Sequence, residues 1–223
     1  MSNPVYFEEH LPKTEMLEVK KKHANLSIGI IREQMEMENR VALVPASVAY
    51  LVGNNHKIVV ETGAGMRSNF SDHEYSEAGA EIVQSTKEAF KCDVILKVAP
   101  PTHEELDNFR PGQILISPLQ IPLINSDYIN KLRQKRVIAL AMEYMMDDDG
   151  SFPLVRIMSE LAGISAILTA ANLLTTTSGG TGVLLGGISG VPPAKVVILG
   201  GGVVAEYAVR TALGLGAPVC VFD

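Results

Sequence analysis

Cysteine is almost missing from this chain: Cys92 and Cys220 are the only two. They stand far apart in apolar, strand-like surroundings. That excludes a disulfide scaffold or a cysteine-built metal centre and suggests buried free thiols in a cytoplasmic protein. The five histidines, His10, His23, His56, His73 and His103, have no metal-ligand spacing and read as solvated surface residues. Positive charge is in deficit. Against 25 Asp and Glu there are 19 Lys and Arg, a net charge of −6, so neither nucleic acid nor an anionic membrane is an expected partner. An apolar leader is absent too. Residues 1–25 are polar, carry Lys20-Lys21-Lys22 and read as an extension with a helix near residues 15–23. No membrane span is expected, because the longest apolar helical stretch, residues 158–174, contains Ser159, Glu160, Thr169 and Asn172.

What is abundant is apolar sequence, at 47% enough for a sizeable core. From Leu26 onward, strand and helix patterns alternate. Strands are predicted at residues 27–31, 57–61, 81–83, 93–98, 113–117 and 137–142. Helices are predicted at 45–53 with Pro45 at its first position, at 71–79 capped by Ser71, and at 85–90, 102–109 and 125–134. Repeated β-α units imply an α/β fold with a mostly parallel sheet covered on both faces. Asp147-Asp148-Asp149-Gly150 interrupts the series and reads as a polar turn. The long helix at 158–174 is rich in small residues, including Ala162, Gly163 and Ala166, which suits close helix packing between domains.

The last thirty residues carry the sharpest motif. Lys195-Val196-Val197-Ile198-Leu199 has the pattern of a buried parallel strand, and Gly200-Gly201-Gly202-Val203-Val204-Ala205 follows at once. This fits G-x-G-x-x-G/A with Gly200, Gly202 and Ala205 in the key places. The first glycine allows the tight turn, the second lets backbone approach a pyrophosphate, and the small third residue lets helix pack on strand. Val203 and Val204 sit where the helix N-terminus offers N–H groups to phosphates. A helix at 206–215 and a strand at 218–222 lead to Asp223, placed to hold a ribose 2′-OH and therefore to favour NAD over NADP.

These patterns divide the chain into the extension (1–25), an N-terminal substrate domain (26–156), a linking helix and Gly-rich segment (157–193), and the first β-α-β of a Rossmann dinucleotide-binding domain (194–223). Two strands and one helix cannot bury both faces of a sheet. The cofactor domain is therefore expected to be incomplete here, and the 223-residue chain alone is not expected to be a competent enzyme.

Several motifs resemble the family of alanine dehydrogenases and the α subunit of NAD(P) transhydrogenase. They are Ile28-Gly29-Ile30-Ile31-Arg32-Glu33, Glu38-Asn39-Arg40-Val41-Ala42, Val60-Glu61-Thr62-Gly63-Ala64-Gly65, Asp93-Val94-Ile95-Leu96-Lys97-Val98, Met158-Ser159-Glu160-Leu161-Ala162-Gly163 and Gly187-Ile188-Ser189-Gly190-Val191-Pro192-Pro193. The resemblance implies an N-terminal domain like flavodoxin or the catalytic domain of formate and glycerate dehydrogenases. It implies a reversible, NAD-dependent deamination of L-alanine to pyruvate and ammonia, and a homo-oligomer. It also implies that Arg40 and Lys97 grip the 2-oxo acid and that Ser159 joins Gly200, Gly202, Val203, Val204, Ala205 and Asp223 around the cofactor. The residues alone leave Arg40 open, since Glu36-Met37-Glu38-Asn39-Arg40 is also a plausible solvated ion-pair run. Lys97, at the carboxyl end of an apolar strand, sits where parallel sheets bind ligands.

The departures are specific. Where the family has a catalytic His after the strand at 113–117, this chain has Gln120, which can hydrogen-bond a carbonyl but cannot exchange a proton near neutral pH. The family's Glu after L-K-V-x is replaced within Ala99-Pro100-Pro101. Pro118-Leu119-Gln120-Ile121-Pro122 is similar to a P-x-Q-x-P run of the transhydrogenase subunit, yet that subunit's R-A-Q-S-x-D segment is absent. A transhydrogenase-like NAD-binding protein and a catalytically inactive fragment are the alternatives.

Overall fold

The computed structural model describes residues 25–121 and 124–223; the helix expected near residues 15–23 lies outside them. Six strands form one sheet: β1 (Ser27–Ile30), β2 (Lys57–Glu61), β3 (Glu81–Val83), β4 (Val94–Leu96), β5 (Ile114–Ser117) and β6 (Ile138–Ala141). Their order is β3-β2-β1-β4-β5-β6 and every pairing is parallel. Apolar residues occupy both faces of the central strands, as a doubly covered parallel sheet requires. Ile30, Val60 and Ile58 pack with Val48 of α1 (Pro45–Gly53) and Tyr75 of α2 (Asp72–Glu77). Ile31, Ile95 and Leu115 pack on the other face with Ala89 of α3 (Thr86–Ala89), Leu106 of α4 (His103–Asp107) and Leu132 of α5 (Ser126–Gln134).

Local signals set the short helices. Ser71 and Thr102 each close a capping box, with Glu74 and Glu105 reaching back to the cap N–H. Asn125 caps α5 through Tyr128 N–H. β2 and β3 span the residues the sequence pattern predicts, and the other strands are one to three residues shorter. Pairing runs out before the apolar pattern does, because β4 has only three residues in register with β1 and β5.

The second unit holds β7 (Val196–Leu199) and β8 (Val219–Phe222), paired in parallel, with α7 (Val203–Gly214) between them. The helix begins three residues before the expected position, because Gly202 itself is the N-cap and Val203 and Val204 already belong to the first turn. The long helix α6 (Pro153–Leu173) starts five residues earlier than expected, with Pro153 at its first position. That extension makes α6 long and apolar enough to cross a bilayer by length and composition alone. It lays Gly163 and Ile167 against α7, and its Arg156 pairs with Glu160 one turn on.

Tyr75 gives the first core a pH dependence. Its ring is fully buried and its hydroxyl donates to Leu43 O at 2.7 Å. Burial, then the charges of Glu74 and Asp72, push its ionisation from 10.0 up to about 12. The fold therefore favours the neutral phenol. That contribution is whole below pH ~10 and is lost as pH rises through about 12. Tyr75→Phe should lose about 1 kcal/mol at neutral pH with its hydrogen bond, yet its stability should fall less steeply with alkali. Urea midpoints measured at pH 8 and pH 11 check this.

Candidate functional site

The strand order reverses direction between β1 and β4, so the loops leaving their carboxyl ends diverge and open a crevice. Lys97 follows directly on β4 and its side chain is only 1% exposed. A buried ammonium needs counter-charge. Glu105 provides it by a hydrogen bond, Nζ to Oε1 at 3.0 Å, and Glu33 provides it at 3.0 Å through Oε2 without hydrogen-bond alignment. Both carboxylates are locked from behind. Glu33 Oε1 accepts from Val98 N–H at 2.6 Å, and Glu105 Oε2 accepts from Thr102 N–H at 2.7 Å. A third buried carboxylate, Glu61 at the end of β2, accepts from Arg32 N–H and from Thr86 Oγ1. A cleft of about 550 Å³ opens beside Glu105, between Gln34, Thr86 and Thr102.

Sequence reasoning found Lys97 but missed Glu33, Glu61 and Glu105. One signal was available. Thr102-x-x-Glu105 is a capping box starting five residues after Lys97, which turns that carboxylate back toward the strand end.

Arg40 lies in the loop between β1 and α1. It is half exposed and held in a forked pair by Glu38, Nε to Oε1 at 2.8 Å and Nη2 to Oε2 at 2.6 Å. This is the ion pair the charge run suggested. The hydrogen bond from Arg40 holds the Glu38 carboxyl below its ordinary value, and the same bond raises Arg40. Arg40 Nη1 also lies 3.4 Å from Met158 Sδ, which ties the β1 loop to α6 beside Ser159.

Gln120 stands beyond the end of β5 with φ +51, a left-handed conformation uncommon outside glycine. Its N–H donates to Glu143 Oε1 at 2.6 Å, and Leu119 N–H donates to both Glu143 oxygens at 3.0 and 3.1 Å. Glu143 belongs to the short turn Met142–Tyr144 after β6. Nothing in the local sequence pattern marked it.

The glycine loop has the geometry its motif requires. Gly200 takes φ +103, which an L side chain rarely adopts. Gly202 caps α7 with no side chain on the first N–H groups, and a Cβ at Gly200 or Gly202 would meet nothing within 4 Å. Among the described residues, no side chain caps the first turn of α7, and an uncapped helix start of this kind offers N–H donors to an anion. Ala205 is buried beneath it. Asp223 closes on the loop, its Oδ1 accepting from Gly201 N–H at 2.9 Å. Its other oxygen would lie 2.7 Å from a Cβ at Gly201, so a side chain there would have to push the Asp223 carboxylate aside. Ser159 lies one turn before Gly163 and so on the same face of α6. A Cβ at Gly163 would lie 2.4 Å from Val204 O in the first turn of α7, so α6 meets α7 one turn beyond Ser159.

The structure thus gathers Glu33, Lys97 and Glu105 at one strand edge, and the glycine loop and Asp223 at another. Arg40 bridges toward α6 but is engaged by Glu38, and the Gln120 backbone is engaged by Glu143.

Comparison with known proteins returns two sequence families along the chain. Alanine dehydrogenase/PNT, N-terminal domain, matches residues 29–162, and alanine dehydrogenase/PNT, C-terminal domain, matches residues 166–223. An alanine dehydrogenase of Methanococcus maripaludis is 42% identical over 197 residues, covering 88% of this chain and 52% of that protein. An alanine dehydrogenase of Bacillus subtilis is 40% identical over 196 residues, covering 88% and 51%. The chain spans about half the length of these curated relatives. A solved L-alanine dehydrogenase superposes with TM-score 0.85 at 39% identity, covering 89% of this chain and 55% of the other. A transhydrogenase from Sinorhizobium meliloti superposes with TM-score 0.77 at 31% identity, covering 87% and 56%.

Proposed function

This chain belongs to the alanine dehydrogenase/PNT family, and from that premise we propose that the protein is a cytoplasmic NAD-dependent oxidoreductase. It converts L-alanine, oxidised cofactor and water to pyruvate, ammonium, reduced cofactor and a proton, reversibly. The observation that carries the reading is Lys97, a fully buried ammonium held by Glu33 and Glu105 at the carboxyl edge of β4. The alanine dehydrogenases at 40–42% identity support the choice of substrate.

NAD suits the second unit: a glycine-only turn, uncapped N–H groups at the start of α7, and an acid beside the loop. When bound there, it would supply an acceptor for the hydride of the substrate Cα. Gly200, Gly202, Val203, Val204 and Ala205 form the phosphate cradle, Ser159 flanks it, and Asp223 receives the ribose hydroxyls with the oxygen that Gly201 leaves free. Lys97 polarises the substrate carbonyl with an N–H that its two carboxylates do not use. Arg40 grips the substrate carboxylate by exchanging Glu38 for it, one forked pair for another. Gln120 donates from its amide to the carbonyl and orients it, while the proton comes from water or another acid. A self-associating face completes the reading. Ile157, Leu161 and Leu168 on α6 are exposed apolar residues, and a second copy of the protein would cover them, making a homo-oligomer.

The test uses the whole protein. L-alanine and NAD should yield NADH, and pyruvate with ammonium should consume it. NADH binding without either reaction would overturn the dehydrogenase reading. It would favour a transhydrogenase-like NAD-binding protein, to which Gln120 within Pro118-Leu119-Gln120-Ile121-Pro122 already points.

A further inference from the structure

Two successive N–H groups, those of Leu119 and Gln120, converge on one carboxylate that comes from a different strand end. We propose that Glu143 is the positioning residue for Gln120: by filling the backbone nest at the end of β5, it holds Gln120 in the left-handed conformation that aims its amide at the substrate crevice. The proposal rests on the reading of the site as an oxidoreductase crevice.

The geometry builds from the sheet. β5 and β6 run side by side, and Ser117 is paired with Ala141 at the last register position. Both chains then leave the sheet at the same edge. β6 turns into Met142–Tyr144, which sets Glu143 two residues beyond the pair. β5 turns through Pro118 and Leu119 to Gln120 at φ +51. A residue in this conformation directs its own N–H and the preceding one to the same side, forming a concavity for an anion. In many proteins such a nest takes a ligand's phosphate or carboxylate. Here the chain's own carboxylate occupies it, with three contacts of 2.6 to 3.1 Å. A left-handed glutamine is unfavourable by itself, so the loop keeps this shape only while the carboxylate is present.

This gives the protein a means of fixing an amide where the family has an imidazole. An amide that works only by orientation depends on its backbone more than a group that also shuttles a proton. Among the described residues, the hydrogen bonds Glu143 accepts come from backbone N–H groups, and it need not meet substrate to act.

The experiment uses the whole protein and the variants Glu143→Ala and Glu143→Gln. Amide exchange at Leu119 and Gln120 should quicken by about tenfold or more in Glu143→Ala, with β5 itself unchanged. kcat/KM for pyruvate should fall by roughly tenfold, the cost of a misplaced orienting group, while KM for NADH stays as in the wild type. Added formate, a carboxylate small enough to enter the vacated nest, should restore both exchange protection and turnover. Glu143→Gln, which keeps one acceptor oxygen, should fall between the two. Faster exchange with unchanged pyruvate kinetics would reduce Glu143 to a structural clip and overturn the proposal. Unchanged exchange would overturn it as well. Wild-type protein without turnover of alanine or pyruvate defeats the functional reading instead. Positioning is then decided by NMR of the Gln120 side-chain amide, which must become more mobile in Glu143→Ala for the proposal to stand.

Discussion

Replacing Lys97 by Met should lower the stability of the protein by about 3–5 kcal/mol, the usual consequence of removing one partner from a buried charge cluster. The substitution nearly conserves volume, so the loss comes from electrostatics and not from a cavity. Glu33 and Glu105 are each only 5% exposed. Without the ammonium, two buried carboxylates are left without their counter-charge. At about 2–4 °C per kcal/mol for a protein of this size, thermal unfolding should shift down by roughly 10 °C. The triple variant K97M/E33Q/E105Q removes the uncompensated charge and should recover much of that loss, because neutral amides still accept from Val98 N–H and Thr102 N–H. If Lys97→Met unfolds at the wild-type temperature, the cluster is not the buried ion network described above. Activity gives a separate readout. Under the proposed function the triple variant should be as inactive as the single one, since stability returns without the group that polarises the carbonyl. Lys97→Arg should not rescue it, because a planar guanidinium cannot replace a compact ammonium in a packed site.

That prediction depends on contacts the sequence could only half disclose. Lys97 was visible because it ends an apolar strand, and in a parallel sheet the carboxyl ends face the ligand. Its partners were not. Glu33 meets Lys97 only because the crossover from β3 carries β4 past β2 to lie beside β1, and no periodicity encodes that order. Arg40 shows the converse. Its partner Glu38 is two residues away, so the ion pair was legible in the charge run. The family resemblance spoke for substrate binding, and the two readings are compatible only if Glu38 gives way. Glu143 was hidden for a third reason: among the described residues its hydrogen bonds are with backbone N–H groups, whose direction depends on the unusual φ of Gln120. The start of α6 was a different kind of miss. Pro153 at a first helical position is a standard start signal, and α6 begins there and not at the expected residue 158. The fold class itself was legible throughout, since alternating β-branched runs and capped helices leave few arrangements other than a covered parallel sheet.

Gly163→Leu should have the other large effect, because α6 and α7 meet at that residue backbone to backbone. A Cβ at position 163 would lie 2.4 Å from Val204 O and 2.9 Å from both Ala208 N and Tyr207 Cβ. Two of these three are main-chain atoms of α7 and cannot rotate away, so the helices must separate. Even Gly163→Ala should destabilise by about 1–3 kcal/mol, although alanine favours a helix over glycine by about 1 kcal/mol. Gly163→Leu should exceed that, since Ile167, Ala208 and Ala212 would also lose contact across the seam. Gly214→Ala supplies the control. It lies in α7, and its Cβ would meet nothing within 4 Å, so the same chemical change should be neutral or stabilising by up to about 1 kcal/mol. The displacement has a functional side as well. Val204 is the second residue of α7, so pushing its carbonyl moves the turn that presents the Gly202 cradle. In the whole protein, NADH affinity should therefore fall by roughly tenfold in Gly163→Ala, about 1.4 kcal/mol, with KM for pyruvate less affected. Calorimetric titration alongside thermal unfolding separates the two effects. Lost stability with unchanged NADH affinity would mean that the glycine loop is held by β7 and Asp223 alone, and that the close approach of α6 serves packing only.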